Sequence, residues 1–191
     1  MADLIRLAVF LVVVIDPISA TIGAAALASG RSDRERVVIV AGGAAVAGAL
    51  LAALALVADP VLDALDISSG AALLAAGIIV LVPALDLLWQ GPAGRVRADP
   101  RASAPRLALF PLGVPLLAGP GAAAAVIAWS AAEGSGLTAG AAALAAVVVG
   151  AVLLLWRQPP CGRRARVLGA FTAVAMTIVA FDLVRDGVFA T

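Results

Sequence analysis

Histidine and lysine are missing from this sequence of 191 residues, and cysteine occurs once, at Cys161. Each absence excludes chemistry. One thiol forms no disulfide and no CxxC redox pair within the chain. Zinc or copper sites built on imidazole and thiolate lack their ligands. A Ser-His-Asp or Cys-His catalytic pair is impossible. Cys161 follows Pro159 and Pro160 in a polar loop, where no special role is expected. No catalytic constellation is left without His, so an enzyme is not expected, nor a cofactor or a metal site. The basic residues are 13 arginines and the net charge is +1, which gives no bias toward nucleic acid.

Apolar residues are what the chain has in excess. They make up 63% of it, with a mean hydropathy of +1.12, against about 45–50% in soluble domains. The expected partner is therefore the lipid bilayer, and the expected architecture a single transmembrane domain over residues 1–191. A membrane helix needs about 20 apolar residues, and six segments qualify. They run from about Leu4 to Ser29, Val37 to Ala58, Ile67 to Trp89, Leu107 to Ala132, Leu137 to Trp156 and Arg166 to Val184. The fold class is thus all-α, a polytopic bundle of six transmembrane helices.

Charge gives the orientation, because short loops rich in Arg stay in the cytoplasm. The loops after helices one, three and five hold Arg31, Arg34, Arg36; Arg95, Arg97, Arg101, Arg106; and Arg157, Arg163, Arg164, Arg166. That is 11 of the 13 arginines on one face. The opposite loops carry Asp59, Asp63, Asp66 and Glu133 and no Arg. Both termini are expected outside.

With six spans, helices one to three and four to six have opposite orientations. This is the inverted-repeat plan of many secondary transporters, whose sites form at broken helices. The expected repeats cover about 1–91 and 105–191, joined by an Arg-rich cytoplasmic loop at about 91–106. Helix one is interrupted at Asp16-Pro17 and helix four at Gly119-Pro120-Gly121, each about midway. "PALDLLWQG" (Pro83–Gly91) and "VAFDLVRDG" (Val179–Gly187) share residues at equal spacing, placing Asp86 and Asp182 in corresponding positions. For these two the competing explanation is a helix-end carboxylate that reaches water or an Arg. Ala- and Gly-rich helices two and five let backbones approach closely. Packing within one chain accounts for them more simply than a dimer face, and a homo-oligomer stays open.

Pro17 removes a backbone donor, which should free carbonyls near Ala8 to Val13. Such groups must be satisfied by protein or by a water-filled cavity. Asp16 is the acidic residue farthest from either surface, and it is costly there unless protonated, paired or hydrated. It suits proton coupling, or it caps the half-helix that begins at Pro17. The polar side chains that could line a cavity are Ser19, Thr21, Ser130, Thr172 and Thr177, with no midplane Arg to hold an anion. The candidate substrate or ion-binding residues are Asp16, Pro17, Ser19, Thr21, Gly119, Pro120 and Gly121, with Asp86 and Asp182 secondary.

The stretches "VIDPIS" and "PLGVPLLAGPGAAAAVI" resemble the MarC family, also called the neutral amino acid transporter family. Its members read like "DPIGNIP" and "PLAIPLLAGPGAITT" at these places. "AAGIIVLVPALDLL" and "RSDRERVVI" are also similar to family segments. The family's Gly, Asn and second Pro are here Ser19, Ala20 and Ile22, and its two Thr are Ala124 and Ala125. The resemblance implies a six-helix protein of the bacterial inner membrane. It also implies transport of small neutral amino acids driven by protons. The expected function is a secondary transporter or exporter of a small polar solute. The alternative is a non-transporting membrane protein with a structural or accessory role.

Overall fold

The computed structural model describes residues 1–92, 102–156 and 158–190, and among them every regular element is helical. The elements are α1 (Ala2–Ile15), α2 (Pro17–Leu27), α3 (Asp33–Ala64), α4 (Ser69–Gln90), α5 (Ala104–Leu107), an irregular coiled segment Ala108–Leu117, α6 (Pro120–Glu133), α7 (Ser135–Leu155) and α8 (Gly162–Phe189). Arg95, Arg97, Arg101 and Arg157 lie outside the described residues, as does most of the expected 91–106 loop.

Among the described residues four helices, α3, α4, α7 and α8, are long and apolar enough to cross a membrane alone. The α1–α2 pair bends by 53°, and the Ala104–Leu117 stretch bends by 64° into α6. Six spans result if each bent pair is one span. The surface is apolar, as lipid contact requires: Phe171 is 72% and Phe181 66% exposed on α8, and Trp89 85% on α4. Much of the interior is Ala and Gly, with Leu7, Leu11, Leu51 and Leu153 among its largest buried side chains. Lipid is as apolar as Leu, so close packing of small residues, rather than water exclusion, holds such helices together.

Polar chemistry decides where α3 starts. Ser32 caps it in a reciprocal box with Glu35, which satisfies two orphan amides. The helix therefore begins four residues before the apolar segment read from Val37. Its 32 residues span about 48 Å, longer than the hydrocarbon layer of about 30 Å.

Side chains define two ends of the bundle. At one, Arg36 donates to Leu153 O at 2.9 Å and Trp156 O at 3.2 Å, closing the C-terminus of α7. At the same end, Arg31 donates to Ala102 O at 2.7 Å. The segments that follow α2, α4 and α7 thus share one end. At the other, Arg6 of α1 pairs with Glu133 of α6. Ser130 donates there to Ala55 O at 2.6 Å, and Gly70 and Gly187 meet backbone to backbone.

Helices α3 and α7 pack antiparallel. A Cβ on Gly48 would stand 2.9 Å from Ala146, and one on Gly150 would stand 2.9 Å from Ala44. Helices α4 and α8 also pack antiparallel, through Gly77 against Ala180 and Val184, and Gly187 against Gly70 and Leu74.

Candidate functional site

The break between α1 and α2 is a single residue. Asp16 sits in the left-handed region (φ 56, ψ 79), where Asp is among the few non-glycine residues found routinely. It ends α1 and begins α2. Its Oδ1 accepts from Ile18 N at 3.2 Å and Ser19 N at 3.3 Å. Pro17 occupies the first helical position, where its missing donor costs nothing. The carbonyls left past the end of the ladder are those of the last turn, Val12 to Ile15, not Ala8 to Val13. One of them, Val13 O, accepts from Asp16 N at 3.1 Å.

The second break differs. The residues before Pro111 and Pro115, Phe110 (φ −141, ψ 122) and Val114 (φ −132, ψ 124), are extended. Proline excludes the preceding residue from the helical region. The chain stays irregular through Ala118 and restarts at Gly119 and Pro120. Gly119 has no side chain to cap α6. The amides of Gly121 and Ala122 therefore lie at an uncapped N-terminus, where the helix dipole favours negative charge.

Both breaks open on one cavity of about 1010 Å³. Asp16, Ser19, Gly119, Pro120 and Gly121 are among its lining residues. Gly121 stands against α1, its added Cβ 3.7 Å from Val14 Cγ1. From there the cavity reaches along α4 to the end of the bundle where α4 stops and α5 begins, past Pro83, Asp86 and Gly91. Pro83 interrupts the ladder of α4 and leaves the Ile79 carbonyl without its helical donor; both residues line the cavity.

Of the remaining candidates, only Asp86 reaches the cavity. Pro17 is not among the lining residues. Thr21 is 2% exposed and donates to Pro17 O at 2.6 Å within its own helix. Thr172 and Thr177 likewise bond back to Leu168 O and Ala173 O, and Ser130 is at the far end. Asp86 lines the cavity and accepts from Gln90. Asp182 pairs with Arg185 at 2.8 Å, well away from it.

The charged lining residue outside the candidate set is Arg106. Arg106 reaches the cavity near its outer end, although its sequence context reads as a loop. The signal was Pro105 beside it, which is at home in a first helical turn and starts α5 there.

Several apolar helices, an apolar exterior and a cavity at paired helix breaks define a multi-pass integral membrane protein. The family model of MarC family integral membrane proteins matches residues 1–188. The chain belongs to that family. No curated relative and no solved structure matches it.

Proposed function

We propose that this chain is a secondary transporter or exporter of a small polar solute, with the cavity at the two helix breaks as its site. The observation that carries this reading is the meeting of both breaks, bent by 53° and 64°, at one cavity. Irregular backbone at membrane depth is tolerated where it lines such a space. The two halves form an inverted repeat. Ala44 and Gly48 correspond to Ala146 and Gly150, 102 residues later, and each Gly meets the other half's Ala. That reciprocity is what a two-fold axis between α3 and α7 produces.

The breaks supply complementary polarity. The uncapped α6 N-terminus suits a carboxylate, and Asp16 with the last carbonyls of α1 suits an ammonium group or a proton. A small neutral amino acid carries both. At about 1010 Å³ the cavity matches the upper end of ligand sites, about 300–1,000 Å³, so such a solute leaves room for water. The end carrying Arg31, Arg34 and Arg36 faces the cytoplasm, by the excess of Arg in its loops. The cavity then reaches toward the cytoplasm of a bacterial inner membrane, with both termini outside. The chain acts as a transporter rather than an enzyme.

A second reading has one observation in its favour. The Asp16 carboxylate already serves as the cap of α2, which is the structural role of a non-transporting protein. Thermal unfolding of the purified protein separates the two. A ligand that binds only the folded state at 100 times its Kd stabilises by about 2.7 kcal/mol. Glycine or alanine should raise the melting temperature. No shift with any small polar solute favours the structural reading.

A further inference from the structure

The cavity reaches one end of the bundle and stops short of the other. On α1 its lining begins at Val14, and on α6 it ends at Ala122. Beyond them α1 and α6 run antiparallel in a closed seam. Phe10 and Trp129 meet one turn above Val14, ring centroids 5.9 Å apart, with Trp129 buried. Arg6 and Glu133 pair one turn higher, at the far end of the bundle. Leu7 and Leu11 of α1 and Ala125 and Val126 of α6 are buried. From Arg6 to Val14 it is about 12 Å deep.

The two helices of this seam are also those that end at the breaks. α1 ends at Ile15, just before Asp16, and α6 starts at Pro120, just after Gly119. Each can swing about its own break, as hinge motions at element ends do, while the antiparallel pairs α3–α7 and α4–α8 stay packed. We infer that the α1–α6 seam is the far gate: the Phe10–Trp129 layer is its plug, the Arg6–Glu133 pair its latch, and the structure is the state closed at that end. This rests on the transport reading above. It adds which residues part when the solute leaves on the other side.

The latch is weak by design of its surroundings. Its side chains are 45% and 32% exposed, and exposed ion pairs contribute little. A latch of that strength permits frequent opening, and the aromatic layer beneath it supplies the seal.

Side-specific labelling tests the gate without knowledge of the solute. Ser19→Cys is placed in a Cys161→Ser background, in sealed membrane vesicles of each orientation. A membrane-impermeant maleimide should react rapidly from the cavity end and slowly from the far end. Arg6→Glu should raise the far-end rate about two- to five-fold, in line with an exposed pair. Arg6→Glu with Glu133→Arg should bring it back. Trp129→Ala should raise it further. Equal rates from both ends in the parent protein overturn the gate, as does a far-end rate unmoved by Arg6→Glu and Trp129→Ala. A cleavable thiol-to-thiol cross-linker joining Arg6→Cys and Glu133→Cys should stop glycine counterflow until cleaved, and flux through the cross-linked protein also overturns the gate. Absence of glycine flux from every variant counts against the transport reading alone, because the labelling rates still decide the gate.

Discussion

Val14 of α1 and Gly121 of α6 face each other across the floor of the cavity, and a Cβ added to Gly121 would lie 3.7 Å from Val14 Cγ1. That is ordinary van der Waals contact. Gly121→Ala should therefore fold normally, with a melting temperature within a few degrees of the parent. Its methyl group would narrow the space beside the uncapped α6 amides. Solute affinity should fall while stability holds, which a paired thermal-shift and counterflow measurement reads.

Gly77 is the opposite case. A Cβ there would stand 2.8 Å from Ala180 O and 2.6 Å from Val184 Cγ2. The carbonyl belongs to the α8 backbone and cannot turn aside. Overpacking costs about 1–3 kcal/mol, while Ala recovers at most about 1 kcal/mol of helix propensity. Gly77→Ala should destabilise the protein in detergent, seen as a lower melting temperature. A stable Gly77→Ala protein would contradict the close α4–α8 packing.

Thr21 looks like a site residue in sequence, yet its hydroxyl is buried against Pro17 O. Thr21→Val removes that bond without opening a void. The expected loss is about 1 kcal/mol of stability, with solute affinity unchanged. A large loss of binding in a well-folded Thr21→Val protein would return Thr21 to the site.

Arg36 is held in place by the C-terminus of α7, where it donates to two carbonyls. Cations are favoured there by the dipole as well as by the bonds. Arg36→Ala should destabilise by about 1–2 kcal/mol. Arg34, exposed on the same turn, serves as the control, and Arg34→Ala should be close to neutral.

The two breaks were legible because proline and glycine act locally. Asp16-Pro17 ends one helix and starts the next within a residue of where the sequence places the interruption. Family membership was legible for the same reason, since its motifs lie at those breaks. Less legible was the irregular stretch through Phe110 and Val114. It follows from the restriction on residues before proline, but an apolar run hides it. The early start of α3 depends on the Ser32–Glu35 box, outside the apolar window. Arg106 at the cavity had only Pro105 beside it as a signal, and the Arg6–Glu133 pair could not be read at all. Arg6 and Glu133 are 127 residues apart, and only the packing of α1 on α6 brings them together.

Asp16 has two roles that substitution can separate. Asn is as good an N-cap as Asp and also tolerates the left-handed region. Asp16→Asn should therefore keep the break and lose the charge. Asp16→Ala loses both, at about 0.5–2 kcal/mol for the cap alone. The decisive measurement is counterflow of labelled glycine and alanine into proteoliposomes, with and without an imposed pH gradient. Parent and Asp16→Asn proteins of matched thermal stability are compared. Saturable flux in the parent, lost in Asp16→Asn, is the expected result. Equal flux in both, or none from folded parent protein, would contradict a transport site at the paired breaks.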